Sequence, residues 1–310
     1  MRILHIPNYY NPHIGGIETV AEDIVNSLKD KHEERVICFK DSKGTVTENV
    51  NGVLVTRVSC IAKVASQSIA PGYKKELKKI MNEFKPEVVI FHYPNPFVAA
   101  FLRKYLKRNF KFVLYWHLDI VKQKVLGKLF NPQTKALLER ADIVVSTSPN
   151  YVEGSKWLTK YKYKTTIIPC CVSDDIDNIS EDVLVKSNQI KEENKNKTIV
   201  FALGRHVEYK GIIHLVNASK YLDDSFRIYI AGKGPLTESL IETAKDDKKI
   251  TFLGRVEQVD LKAYLNACDI FAFPSITKNE AFGIALAEAL ALGKASVTFT
   301  IPGSGVNYVS

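Results

Sequence analysis

The sequence predicts an α/β protein built on two doubly wound parallel sheets, and three observations carry that expectation. Short apolar, β-branched runs alternate with segments of helical periodicity along the whole chain, which is the mark of βαβ units. The runs are continuous, as in Val88-Val89-Ile90-Phe91 and Ile143-Val144-Val145-Ser146, which suits strands buried on both faces. The pattern then restarts after a polar stretch, and 310 residues fit two domains of about 150.

Taken in order, the first half predicts strands over 2–7, 36–40, 53–58, 87–92, 111–117, 141–148 and 165–172. Helical spacing lies between them, clearest in Tyr73, Leu77, Ile80, Met81 and Phe84. Residues 173–197 are rich in Asp, Asn, Lys and Glu with few apolar side chains, and read as a linker. The expected domains are therefore 1–172 and 198–310. In the second, strands are expected at 198–204, 226–231, 250–254, 269–273 and 295–301, with helices at 210–222, 236–246, 258–267 and 282–292. The chain stops at Ser310, soon after a strand-like run, so the second domain is expected to be truncated, with an exposed sheet edge.

Composition narrows the function classes. Forty-five per cent apolar, 10% aromatic and 25% charged residues describe an ordinary globular chain. No run approaches the ~20 apolar residues of a membrane span, and the apolar start is too short for a signal peptide. Five cysteines, an odd number without CxxC spacing, favour a reducing cytoplasm over a disulfide framework or metal cluster. Net charge is +9, all of it in residues 1–180, which hold 27 Lys and Arg against 18 Asp and Glu. An anionic partner on that half follows. Two basic segments, Lys74 to Lys79 and Phe101 to Arg108, carry cations on one face and apolar residues on the other. That suits an anionic lipid surface, or equally a helix packed on its own sheet. Nucleic acid finds no recognition motif.

Several places suit chemistry. Gly204-Arg205-His206-Val207-Glu208-Tyr209-Lys210-Gly211 puts two cations between a strand end and a helix start, an anion site unless both are simply solvated. Glu280 to Glu288 places Gly283 near a helix start, where backbone N–H groups can meet a ligand, with Glu288 two turns on. An ordinary amphipathic helix explains the same residues. Gly15-Gly16 follows the first strand, but the loop is too long for the dinucleotide fingerprint. Gly232-Lys233-Gly234-Pro235 reads as a tight turn. His117 ends a strand at the sheet edge where ligands bind in this architecture, with Asp119 as a possible partner. Asp174-Asp175-Ile176-Asp177 has the spacing of a carboxylate metal motif but opens a polar linker, and is set aside.

With these residues in hand, the chain resembles a family 4 retaining glycosyltransferase from Met1 to Ser310. The resemblance rests on Gly15-Gly16, Trp116-His117, Gly204-Arg205 with Lys210-Gly211, Gly232 to Pro235, Phe252 to Val256, and Glu280 with Glu288, in order and spacing. It implies the GT-B fold, two Rossmann-like domains facing a cleft, here with the C-terminal end missing. Arg205 and Lys210 would neutralise the departing diphosphate. Glu280 would contact donor-sugar hydroxyls, and the backbone of Phe282, Gly283 and Ile284 would hold sugar and diphosphate. Glu288 would bind the ribose, and the backbone of Arg255 and Val256 the base. His117 and Gly16, with Gly15 beside it, would complete the site from the first domain, His117 near the sugar. His206 and Val207 fill a stretch where relatives vary.

The resemblance implies no metal and no cofactor. The donor would be a UDP- or GDP-sugar, giving up a hexose or N-acetylhexosamine to a lipid-linked saccharide in bacterial O-antigen or capsule synthesis. The enzyme would be cytoplasmic and peripheral to the inner face of the plasma membrane, held at anionic lipid by its basic first domain. The alternative is a truncated, catalytically silent nucleotide-sugar binding protein. A GT-B-like epimerase or phosphorylase and a nucleic-acid binder come after it.

Overall fold

The computed structural model describes residues 1–13, 15–64, 67–120, 124–173 and 176–310, and these divide into two compact units, Met1–Pro169 and Cys170–Ser310. Asp174 and Asp175 of the carboxylate run lie outside the described residues.

The first unit runs β1 (Arg2–Ile6), α1 (Gly16–Leu28), β2 (Glu33–Lys40), β3 (Val46–Val50), β4 (Val53–Ser59), β5 (Ala62–Val64), β6 (Gln67–Ile69), α2 (Tyr73–Glu83), β7 (Val88–Tyr93), α3 (Pro96–Leu102), β8 (Lys111–Trp116), α4 (Lys124–Arg140), β9 (Ile143–Ser146), α5 (Pro149–Gly154) and β10 (Thr165–Ile167). Eight strands form one sheet in the order β10-β9-β8-β7-β1-β2-β4-β3, parallel except for β3. Leu4, Ile6, Val36, Val89, Phe91, Phe112 and Leu114 are buried, as continuous apolar strands require. The edge hairpin β3–β4 turns on Asn51 and Gly52, both at positive φ, which is the two-residue turn that fits strand twist.

In α2, Tyr73, Leu77, Ile80 and Met81 are buried while Lys74, Lys75, Lys78 and Lys79 stay exposed. The stretch 101–108 ends α3 and continues in a short 3-10 turn, burying Leu102, Tyr105 and Leu106 and leaving Arg103, Lys104, Lys107 and Arg108 outside. The apolar faces of both segments are spent on their own unit, so what they offer outward is charge. No helix among the described residues is long and apolar enough to cross a membrane.

The second unit runs α6 (Glu181–Glu193), β11 (Thr198–Leu203), α7 (Ile212–Ala218), β12 (Phe226–Ala231), α8 (Thr237–Ala244), β13 (Ile250–Gly254), α9 (Gln258–Ala267), β14 (Ile270–Phe273), α10 (Ile284–Ala291), β15 (Ala295–Thr298) and α11 (Val306–Val309). Its sheet, β13-β12-β11-β14-β15, is all parallel. Alternate residues serve opposite faces: Ile199, Phe201, Tyr229, Phe271 and Phe273 pack with α6, α9 and α10, while Val200, Ala202, Ile228 and Ile230 pack with α7 and α8. Strand β15 is an edge, with Val297 and Phe299 exposed.

The expected linker over 173–197 is corrected here. It contains α6, opened by Glu181 and Asp182, which suit a helix N-terminus, with Val183, Ser187 and Ile190 buried along one face. Asn194 closes it, its Nδ2 donating to Ile190 O at 2.6 Å and reaching the Tyr229 hydroxyl at 2.9 Å. Few apolar residues suffice because those few are at helical spacing. The helix expected over 210–222 is likewise shorter: Gly211, at φ +60, separates a 3-10 turn over Glu208–Lys210 from α7.

Candidate functional site

In the second unit the loops after β11, β12 and β13 lie at the carboxyl ends of parallel strands, where this architecture binds ligands. They approach so closely that only glycine fits. A Cβ on Gly232, at φ +121, would lie 1.9 Å from Gly204 O, and one on Gly234 would lie 2.4 Å from His206 O. The Gly232 N–H donates to Gly254 O at 2.7 Å, tying the β12 and β13 ends. Gly211 is equally constrained, since a Cβ there would meet Pro274 O at 2.1 Å.

His206 pins these loops. It is fully buried, its N–H donates to Lys233 O, and its carbonyl accepts from Leu236 N. The Thr237 hydroxyl accepts from Gly234 N at 2.9 Å and hydrogen-bonds His206 Nδ1 at 2.9 Å. Burial lowers the His206 pKa, which keeps the ring neutral. Nothing in the motif reading marks this residue, because its importance lies in partners about thirty positions away.

The cations divide. Arg205 and Arg255 are exposed, and so is Lys233, whose stem lies against Gly254. Lys210 is mostly buried, folds over Gly204, and forms an ion pair with Glu280 Oε2, its ammonium 4.9 Å above the Phe273 ring. Ser275 donates to the same carboxylate oxygen at 3.1 Å. Glu280 Oε1 has no hydrogen-bond partner among the described residues. An ammonium has three donors, so Lys210 can hold Glu280 and a further anion together.

The loop before α10 completes this corner. Gly283, at φ +94, caps the helix, and its carbonyl receives Leu286 N and Ala287 N. The first-turn N–H groups, including that of Ile284, are left without intrahelical acceptors. Phe282 is buried, Ser304 Oγ donates to Glu280 O at 2.5 Å, and a Cβ on Gly305 would strike Ala281 O at 1.8 Å. The segment 280–283 is thus held from behind. Burial raises the Glu288 pKa, with Lys262 pulling it back. Val256 is half-buried against α9 and α6, while Arg255 beside it faces outward.

In the first unit, Gly15 caps α1 and Gly16 is its first residue. A Cβ on Gly15 would lie 2.4 Å from Glu18 Oε2, so the chain's own carboxylate is folded over this helix start. His117 is buried, and burial pushes its pKa down to about 3. Its Nε2 is 2.9 Å from His92 Nδ1. Asp119, expected as its partner, instead accepts from Trp116 Nε1 at 3.0 Å and Ser155 Oγ at 2.8 Å. No cluster of three or more His, Cys, Asp or Glu suited to a metal ion occurs among the described residues.

Comparisons with known proteins agree with this architecture. Residues 14–176 match the family model described as Glycosyltransferase Family 4, and residues 185–306 match Glycosyl transferases group 1. Among curated proteins, the chain is 30% identical to D-rhamnosyltransferase WbpZ of Pseudomonas aeruginosa, covering 100% of this chain and 80% of that one. It is 28% identical to O-antigen chain mannosyltransferase C of Escherichia coli, covering 100% and 82%. Among solved structures, Anabaena HepE in complex with UDP and glucose shares the fold, with a TM-score of 0.73 at 18% identity over 99% of this chain and 82% of that one.

Proposed function

The chain belongs to glycosyltransferase family 4, and from that premise we propose that it transfers a hexose or N-acetylhexosamine, with retention, from a UDP- or GDP-sugar to a lipid-linked saccharide in bacterial surface polysaccharide synthesis. The observation that carries this reading is the Lys210–Glu280 pair beside glycine-only strand ends. It sets a cation for a diphosphate next to a carboxylate for sugar hydroxyls.

In the proposed reaction, Lys210 and Arg205 stabilise negative charge as the nucleoside diphosphate leaves, a term whose single donors are typically worth 10²–10³-fold in rate. Glu280 Oε1 accepts from a donor-sugar hydroxyl. The N–H groups around Phe282, Gly283 and Ile284 hold sugar and diphosphate, Glu288 the ribose, and the Arg255-Val256 backbone the base. His117, Gly15 and Gly16 are the substrate contacts read for the first unit. The acceptor hydroxyl attacks from the face the diphosphate leaves, and a leaving phosphate oxygen takes its proton. No metal and no cofactor take part.

Two relatives are named for O-antigen mannose and for D-rhamnose, a deoxymannose, which supports a mannose-configured donor and an O-antigen acceptor. The exposed cations of α2 and of 103–108 support a peripheral, cytoplasmic enzyme on an anionic membrane. Calorimetric titration with UDP- and GDP-sugars, without added metal, tests the assignment. One donor is expected to bind selectively, and Lys210→Ala to abolish that binding. A folded protein that binds none of the panel overturns it.

A further inference from the structure

We infer that Ser275 is a positioning residue for Glu280: its hydroxyl fixes the carboxylate by Oε2 and leaves Oε1 as the oxygen free to take a donor-sugar hydroxyl. The inference rests on reading Glu280 as the group that meets the sugar, and adds what aims it.

Two buried serines reach Glu280 from the ends of neighbouring strands. Ser275 comes two residues after β14 and is 1% exposed, and Ser304, in the loop after β15, is fully buried. The two strands are paired to their ends, Phe273 opposite Thr298. Ser304 Oγ donates to Glu280 O at 2.5 Å and accepts from Val306 N at 3.2 Å, while Glu280 N donates to Thr277 O at 3.1 Å. Both main-chain polar groups of Glu280 are therefore held. Ile276 N donates to Tyr209 O at 2.9 Å, which ties the turn bearing Ser275 to the loop bearing Lys210.

With its backbone held, Glu280 is aimed by the partners of its carboxylate. Ser275 Oγ donates to Oε2 at 3.1 Å, and Lys210 makes its ion pair with the same oxygen. Oε1 has no hydrogen-bond partner among the described residues. The two donors differ in kind. An ammonium is a point charge on a long flexible stem and can follow a carboxylate as it turns. A hydroxyl on a short side chain at a buried strand end is fixed in place, so its bond names one oxygen. Both donors on Oε2 leave the lone pairs of Oε1 for a ligand.

The glutamate side chain loses much rotamer freedom when it is ordered. Without Ser275 that loss would fall on each binding of donor; with it the carboxylate is ordered beforehand. Ser275 acts through Glu280, and so on the sugar part of the donor.

The test is calorimetric titration of the full chain with UDP-glucose, UDP-N-acetylglucosamine and GDP-mannose, and with UDP and GDP alone. The nucleotide-sugar that binds the wild type is then carried through the variants. Ser275→Ala is expected to weaken it about tenfold, the scale of one hydrogen bond to a charged group. Affinity for the free nucleoside diphosphate is expected to stay unchanged, because that ligand makes no use of Glu280 Oε1. Ser275→Cys, nearly the same shape with only a weak donor, is expected to show the same selective loss and decides the matter if the alanine variant does not fold. In Glu280→Ala there is no carboxylate to aim, so adding Ser275→Ala is expected to cost nothing further. Equal losses for nucleotide-sugar and diphosphate, an unchanged nucleotide-sugar affinity, or a further loss in the double variant each overturn this inference alone. Wild-type protein that binds none of these ligands overturns the functional reading and this inference with it.

Discussion

The two units build the carboxyl ends of their parallel sheets with opposite materials. The second unit uses backbone: Gly204, Gly211, Gly232, Gly234 and Gly254 bring loops into contact, leaving Arg205, Lys233 and Arg255 exposed around a partly buried Lys210–Glu280 pair. The first unit uses buried side chains, three imidazoles ending at His117, two of which, His92 and His117, are kept neutral by burial. The difference separates local from global electrostatics. Met1–Pro169 holds 27 Lys and Arg against 15 Asp and Glu, a net +12, whereas Cys170–Ser310 carries 16 against 19, a net −3. The proposed diphosphate site sits in the acidic unit, built by four cations on adjoining loops. The basic unit keeps its excess on exposed surfaces such as α2.

The contrast breaks most severely at Gly232. Alanine there must relieve a 1.9 Å approach to Gly204 O and adopt φ +121, two faults at a single residue. The expected cost is about 3 kcal/mol or more, and a fall of roughly 10 °C in Tm by calorimetry. An unchanged Tm would mean that the strand ends are free to part, and that close backbone approach does not shape this site.

The next effect is on turnover. Lys210→Ala is expected to lower transfer about 10²–10³-fold with the protein still folded. Lys245→Ala, which breaks an exposed ion pair with Glu242 in the same unit, is expected to leave the rate unchanged. Equal rates for both variants in a transfer assay would reduce Lys210 to a structural counter-ion of Glu280.

How much was legible follows the same division. Part of the second unit's site is written locally, as a strand followed by glycine and two cations within eight positions, whereas the Lys210–Glu280 pair joins distant parts of the sequence. In the first unit, His5 with Glu34 and His92 with His117 meet only through the strand order β8-β7-β1-β2, which no local pattern encodes. A trace existed, since Leu4-His5, Phe91-His92 and Trp116-His117 each place a histidine at or one residue before the end of a strand-like run. Most strands of both sheets followed from apolar runs. Strand β3 did not, although Asn51-Gly52 is a strong hairpin signal, because its own residues, Val46-Thr47-Glu48-Asn49-Val50, are largely exposed. Helix α6 was hidden by composition: counting polar residues over 173–197 erased the spacing of Val183, Ser187 and Ile190.

Acid sharpens the comparison further. His92 and His117 have pKa values lowered in the folded state, while an unfolded imidazole titrates near 6.5. Below that value the unfolded chain binds protons that the folded one refuses, so stability falls as pH falls. For His117, folded at about 3, the loss at pH 5 is about 2 kcal/mol. Both tryptophans, Trp116 and Trp157, belong to the first unit, so urea unfolding followed by their fluorescence reads it selectively. The midpoint is expected to fall between pH 7 and pH 5, and to fall less in His92→Asn. A flat profile would mean the rings charge without unfolding.

The smallest expected effect isolates what makes Gly232 so costly. Gly52 also has positive φ, +91, but a Cβ there meets nothing within 4 Å. Its N–H accepts no new burden on substitution, since it already donates to Asn49 Oδ1 at 2.9 Å across an exposed turn. Gly52→Ala therefore carries the conformational penalty without the collision, about 1 kcal/mol, and roughly 2–4 °C in Tm. The ratio of the two losses measures how far strand-end contact, beyond backbone conformation, dictates glycine in the second unit. If Gly52→Ala costs as much as Gly232→Ala, positive φ alone explains both, and the crowding at Gly204 is incidental.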